Sequence, residues 1–80
     1  MEQVRDLIIK IAQSLVDHPE QVSVGVIDNE TTTIFELSVA MIDLGKVIGK
    51  HGRTADAIRT IVGALSGKAR KKRFMLEIIQ

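Results

Sequence analysis

The chain has 80 residues, enough for one small domain with a single hydrophobic core and no second one. With 45% hydrophobic and 26% charged residues the composition is globular, and no apolar run approaches the ~20 residues of a transmembrane helix. Cysteine is absent, which excludes disulfide bonds and thiolate metal sites, and the first residues are unlike a signal peptide. A cytoplasmic protein without a membrane partner is therefore expected.

The net charge of +1 hides a separation of charges along the chain. Residues 1–42 carry two basic and seven acidic residues, a net charge of −5, whereas residues 43–73 carry nine basic and two acidic residues, a net charge of +7. This separation predicts a basic surface set against an acidic remainder, which is typical of nucleic-acid binding. The alternative is that the charges form ordinary solvated faces.

Helical spacing of apolar residues predicts a first helix over residues 3–17, which ends before Pro19 because the residue preceding a proline avoids the helical region. Ile9 and Val16 lie on a line beside the main apolar stripe. They either widen the buried face or form a contact surface for another protein. The main stripe consists of Val4, Leu7, Ile8, Ile11 and Leu15.

Two segments of alternating apolar residues then predict an antiparallel hairpin. Its strands are expected at residues 21–28 and 32–39, joined by a turn at Asp28-Asn29-Glu30. Because alternate side chains of a strand point to the same side, one face of the hairpin is expected to face the core.

The second half of the chain predicts two helices and a closing strand. Asp43 is expected to cap a short helix over residues 44–48, and a longer amphipathic helix over residues 53–66 is expected to end at Gly67. Alternation predicts the last strand at residues 72–79. The resulting order indicates an α+β domain of the form α-β-β-α-α-β, in which three helices cover one face of a three-stranded sheet.

The two predicted helices are joined by Gly49-Lys50-His51-Gly52, in which glycines bracket a basic pair. Glycine lets a backbone approach a ligand closely, and N–H groups beside basic side chains favour an anion. A Walker A loop is excluded, because the nearest run, Gly45 to His51, is one residue short and has histidine where a hydroxyl must bind magnesium. A dinucleotide fingerprint is excluded because Gly-x-Gly does not occur. The spacing that remains predicts a clamp for a nucleic-acid backbone.

A resemblance to the KH family covers residues 44–62, which read LGKVIGKHGRTADAIRTIV. They match the signature Val-Ile-Gly-x-x-Gly followed by a helix with spaced aliphatic residues, except that Ala55 stands where many KH domains carry isoleucine. The element order resembles the type II KH fold, and residues 1–80 resemble the small bacterial single-KH RNA-binding proteins of the KhpA type. The resemblance implies a single KH domain that binds single-stranded RNA without catalysis, as an RNA chaperone or post-transcriptional regulator. It also implies a homodimer, or a heterodimer with a larger KH protein of the Jag type.

The predicted RNA-binding residues lie in and around the glycine loop. Lys50 and His51 are at its tip, and Arg53 opens the next helix, where its charge opposes the helix dipole and suits a bound anion. The alternative for Arg53 is a plain surface arginine. Lys46 and Arg59 are expected to flank the groove as charges. The predicted set is Lys46, Val47, Ile48, Gly49, Lys50, His51, Gly52, Arg53 and Arg59.

Other side chains near the loop have two possible roles. The apolar ones either line a groove for the bases or belong to the core: Val47, Ile48, Ala55 and Ile58. A basic run before the last strand either extends the nucleic-acid path or protects a sheet edge: Lys68, Arg70, Lys71, Lys72 and Arg73.

Aromatic side chains are few, and this limits how RNA is bound. Phe35 and Phe74, the only two, fall on predicted core positions, so no ring is left to stack on bases. Weak binding through phosphate contacts is expected.

His18 and His51 lack a second metal ligand at helical spacing, so neither an enzyme nor a cofactor is predicted. The alternative function is a protein-interaction subunit that has the KH shape and acts by pairing.

Overall fold

The computed structural model describes residues 2–69 and 72–79, and its three helices and three strands follow in the predicted order. The α+β fold is therefore confirmed. Within the described residues, no helix is both long and apolar enough to cross a membrane. The elements are α1 (Glu2–Leu15), β1 (Ser23–Asp28), β2 (Thr32–Ser38), α2 (Leu44–Ile48), α3 (Arg53–Ala69) and β3 (Arg73–Ile79), with short 3-10 turns at Pro19–Gln21, Met41–Asp43 and Lys50–Gly52.

The sheet has the strand order β1-β2-β3. The hairpin of β1 and β2 is antiparallel, as predicted, and Asn29 shapes its turn because its Oδ1 accepts hydrogen bonds from the backbone N–H groups of Thr31 (3.2 Å) and Thr32 (2.9 Å). Strands β2 and β3 are parallel, so the chain must cross back over the sheet between them. That crossover consists of α2, the glycine loop and α3.

The helices and one face of the sheet meet in a hydrophobic core. Phe35 and Leu37 of the central strand are fully buried, and Phe74 packs edge-to-face on Phe35 with ring centroids 5.5 Å apart. Both helices that flank the glycine loop contribute to this core, so the loop is carried by packed elements on each side. The buried core residues are Ile8, Ala12, Val24, Phe35, Leu37, Val47, Ile58, Val62 and Leu76.

Helix α1 is rotated relative to the stripe predicted from the sequence. Ile9 and Val16, from the second line, pack against the core, whereas Leu7 and Leu15, from the main stripe, are 38% and 36% exposed. Arg5, on the same side as Ile9, also contacts the sheet, because its Nε donates a hydrogen bond to the backbone oxygen of Val24 in β1 (2.9 Å). The second line therefore widens the buried face, as one of the two predicted alternatives states.

Gly67 does not end the last helix, contrary to the prediction. Helix α3 continues through it to Ala69. A glycine inside a helix costs only about 1 kcal/mol relative to alanine, which is too little to stop a helix whose neighbouring residues favour continuation.

Candidate nucleic-acid interface

The Gly49–Gly52 loop turns the chain from α2 into α3 within one tight turn, in which His51 has non-helical backbone angles. The amide of Gly49 donates to the oxygen of Gly45 (2.9 Å) and closes α2, and the amide of Gly52 donates to the oxygen of Gly49 (3.1 Å) and closes the turn. Helix α3 begins at the next residue, Arg53. The amide of Arg53 donates to the oxygen of Lys50, so the turn continues directly into α3. The N-terminal end of the α3 dipole brings partial positive charge to the loop.

Three of the four loop residues have a positive φ angle, and the two glycines among them are required for different reasons. Gly49 has φ +78° and ψ 169°, and a Cβ there would lie 2.2 Å from Oγ1 and 2.9 Å from the backbone nitrogen of Thr54. Gly52 has φ +75° but open space around it, so it needs glycine for the angle alone. His51, at φ 57°, is the one non-glycine residue with a positive φ in the part of the chain that the structure describes. Gly49 is therefore required both for its backbone conformation and for its packing against Thr54.

Lys50, His51 and Arg53 place their side chains on the surface around this turn, and all three are exposed. None of them forms an ion pair within residues 2–69 and 72–79. Arg53 also sits in the first turn of α3, where a positive charge is unfavourable by about 0.3–1 kcal/mol. An anion bound at the loop would offset that cost and pair with these cations.

Lys46 and Arg59, predicted as flanking charges, are already paired. The Nζ of Lys46 lies 3.4 Å from Oδ2 of Asp17 and 3.7 Å from Oδ1 of Asp43. The guanidinium of Arg59 lies 3.4 Å from Oδ1 of Asp56, one turn earlier on α3. These carboxylates offset part of the positive charge of both side chains, which sets them apart from the loop cations.

The apolar residues near the loop also divide into two groups. Val47, Ala55 and Ile58 are buried, with Val47 fully inaccessible, so their side chains belong to the core. Ile48, the last residue of α2, is 37% exposed and directly precedes Gly49. Among the four candidates, only Ile48 presents an apolar side chain to a ligand at the loop.

Asp43 has a role that the sequence did not reveal. It directly precedes α2 but makes no side-chain capping bond there. Its fully buried carboxylate instead accepts hydrogen bonds from the backbone amides of Asp17 (3.3 Å) and His18 (3.0 Å) and contacts Nδ1 of His18 (3.0 Å). The predicted cap is wrong because these donors, 25 and 26 residues away in sequence, occupy the carboxylate. No local spacing signals such a distant contact.

The environment of Asp43 favours its ionised form. Burial by itself would raise the pKa of Asp43, but the hydrogen bonds from His18 and from the amide of Asp17 outweigh it and hold the pKa below its ordinary value of 3.8. The carboxylate is therefore charged at neutral pH. No group of three or more His, Asp or Glu side chains in the described part of the chain is arranged to hold a metal ion.

The basic run before β3 has a structural role at Lys72. Its Nζ contacts Oδ1 of Asp28 at the end of β1, and the hydroxyl of Thr33 donates to the same oxygen (2.8 Å). The bond from Lys72, followed by that from Thr33, lowers the pKa of Asp28. Lys72 thus ties the start of β3 to the hairpin. Arg73 is exposed, while Arg70, Lys71 and the side chain of Lys68 lie outside the described residues.

Comparison with known proteins identifies the family of this fold and loop. Residues 5–78 match the family model described as KhpA/KhpB, KH domain. The chain belongs to this KH family. The predicted resemblance to KhpA-type proteins is thereby confirmed, and the glycine loop falls inside the matched region.

Curated relatives of the KH family cover almost the whole chain. RNA-binding protein KhpA of Listeria monocytogenes serovar 1/2a is 47% identical over 96% of this chain and 100% of its own length. The protein of the same name from Clostridium acetobutylicum is 49% identical over 95% and 100%, and that from Treponema pallidum is 50% identical over 92% and 91%. These relatives are named as RNA-binding proteins, and none of the three names refers to an enzyme activity. No solved structure matches the chain significantly.

Proposed function

We propose that this protein binds single-stranded RNA by holding the sugar-phosphate backbone against the Gly49–Gly52 loop. One observation carries the proposal. Lys50, His51 and Arg53 are exposed and without ion pairs in the described residues, and they surround a turn in which the space beside Gly52 is open. The RNA-binding relatives support RNA as that ligand.

The RNA-binding set proposed here is narrower than the set predicted from the sequence. The loop cations contact phosphates at the N-terminal end of α3, and Ile48 supplies an apolar contact for a base. Lys46 and Arg59 contribute less than the loop cations, because carboxylates already offset part of their charge. Phe35 is buried and Phe74 packs against it, so binding proceeds without ring stacking and is weak.

The salt dependence of RNA affinity tests the contact with phosphates. Three to four neutralised phosphates give a log–log slope of about −2 to −3 for a single strand. Lys50→Ala is expected to reduce the magnitude of this slope by about 0.7, because one phosphate contact is lost. Lys10→Ala is the matched control, since Lys10 is an exposed lysine on α1 without an ion pair in the described residues. Fluorescence anisotropy with a short labelled oligouridine measures the slopes, and equal slopes for Lys50→Ala and wild type would contradict the proposal.

We also propose that the protein pairs with a second copy or with a larger KH protein of the Jag type, and that it serves in the cytoplasm as an RNA chaperone or post-transcriptional regulator. Two neighbouring side chains, Met41 and Ile42, support pairing because they are 79% and 76% exposed. The name of the family, which joins KhpA with KhpB, supports it as well. Two linked loops on one strand would raise avidity above the weak affinity of one loop.

Light scattering tests the homodimer. We expect a mass that rises toward twice that of one chain as concentration increases, and that falls back when Met41 and Ile42 are both replaced by serine. The exposed residues Leu7 and Leu15, replaced in the same way, serve as the control. A monomeric mass at every concentration would contradict self-association.

A further inference from the structure

The buried carboxylate of Asp43 lies outside the proposed RNA contact, yet it is attached to the element that carries the loop. It directly precedes α2, and the loop begins at Gly49, directly after α2. At 1.5 Å per residue, the five residues of α2 separate the two points by about 8 Å along the helix axis. A change in direction at Asp43 is therefore transmitted to the loop through a single short helix.

Helix α2 cannot set its own direction. A five-residue helix has no independent stability, so tertiary contacts must orient it. Buried side chains provide two such contacts, and the ion pairs of Lys46 add a third. Val47, on one side of α2, is fully buried in the core, and Asp43, at its start, is fully buried against the segment that follows α1. With Val47 as one fixed point, the contacts of Asp43 determine the tilt of α2.

His18 is the main partner of Asp43. Its backbone amide and its ring Nδ1 each lie 3.0 Å from Oδ2 of Asp43. Since the next residue is Pro19, the backbone of His18 is restricted, and its two contacts hold the carboxylate from a stiff support. The His18 side chain is 42% exposed, so it can be replaced without opening a hole in the core.

Lys46 contacts the same group of side chains, called here the Asp43 cluster, which consists of Asp17, His18, Asp43 and Lys46. Its ammonium lies between the carboxylates of Asp17 and Asp43, at 3.4 and 3.7 Å. It links the middle of α2 to the same segment that holds Asp43, and its charge offsets that of the buried carboxylate. The cluster thus attaches α2 at two residues, Asp43 and Lys46.

We propose that Asp43, held by His18, is a positioning residue for RNA binding, because it fixes the tilt of α2 and with it the location of Lys50, His51 and Arg53. The inference rests on the proposed contact of RNA with the loop. RNA does not touch His18 or Asp43 in this arrangement, and their effect on affinity passes through α2.

Replacing His18 tests the inference, because the amides of Asp17 and His18 still support Asp43 in the variant. His18→Ala is expected to weaken binding of a labelled oligouridine by about threefold to tenfold, under conditions in which circular dichroism shows the variant fully folded. His18→Asn is expected to restore near wild-type affinity, since its side-chain amide can donate a hydrogen bond from about the position of Nδ1. Glu20→Ala, an exposed change in the same connecting segment, is the control and should have no effect.

A second readout needs no RNA and separates the inference from the proposed function. In the free protein, His18→Ala is expected to shift the amide resonances of Gly49, Lys50 and Arg53, and His18→Asn to leave them near their wild-type positions. If wild type binds RNA but His18→Ala binds equally well with unshifted loop resonances, the inference is overturned while the proposed function stands. If wild type does not bind RNA, the proposed function fails. Equal loss of affinity in the alanine and asparagine variants would also overturn the inference, because it would show that the hydrogen bond from the side chain of residue 18 to Asp43 does not determine RNA affinity.

Discussion

Replacing Gly49 with alanine is expected to lower the free energy of unfolding by about 3 kcal/mol, a large share of the stability of a small domain. The backbone at Gly49, with φ +78° and ψ 169°, is in a region that only glycine occupies readily. The new Cβ would also lie 2.2 Å from Oγ1 and 2.6 Å from Cβ of Thr54. The clash cannot be relieved by rotating Thr54, since its Cβ and backbone nitrogen are held by α3. Urea denaturation followed by circular dichroism measures the change.

Two neighbouring glycines provide graded controls for Gly49→Ala. Gly52→Ala is expected to cost about 1–2 kcal/mol, because its φ of +75° is strained for alanine but nothing lies within 4 Å of the added Cβ. Gly45→Ala, inside α2 and also in open space, is expected to raise stability by about 0.5–1 kcal/mol. Equal effects at the three positions would contradict the account of why the loop requires glycine.

Replacing both Lys50 and His51 with aspartate is expected to reduce RNA affinity at least about tenfold at low salt. The change removes one fixed cation and one basic ring and puts two carboxylates where phosphates are proposed to lie. The fold should survive, because both side chains are exposed and aspartate tolerates the positive φ of 57° at position 51. Fluorescence anisotropy with labelled oligouridine gives the affinity, and circular dichroism checks the fold.

A charge-matched variant separates a local effect from one of net charge. Lys10→Asp combined with Gln3→Asp changes the net charge by the same amount on exposed positions of α1. We expect this control to bind RNA far better than the loop variant. Undiminished binding by the loop variant, or an equal loss in the control, would contradict the proposal that the loop contacts RNA.

The order of the elements could be predicted because it depends on local patterns. Alternation in Phe35 and Leu37 marks β2, and helical spacing in Ile58 and Val62 marks α3, whatever the rest of the chain does. The face of α1 that is buried could not be predicted in the same way. It depends on how α1 packs against the sheet, and contacts such as the bond from Arg5 to Val24 in β1 exist only after the sheet has formed.

The glycine loop was also visible in the sequence, since its spacing and its place between two helices are local features. Which basic side chains near the loop are paired with carboxylates could not be predicted. Lys46 and Lys50 look alike in sequence, but Lys46 lies beside Asp17, a residue 29 positions earlier that the fold brings to it. The buried role of Asp43 could not be predicted for the same reason, because its partners lie in the segment that follows α1.

The central claim is that RNA contacts the Gly49–Gly52 loop and the first turn of α3. Amide chemical-shift mapping of the wild-type protein during titration with oligouridine tests it most directly. We expect the largest shifts at Gly49, Lys50, His51, Gly52 and Arg53, and only small shifts on the outer sheet residues Glu36 and Glu77. Large shifts centred on the outer face of the sheet, with the loop resonances unmoved, would contradict the claim.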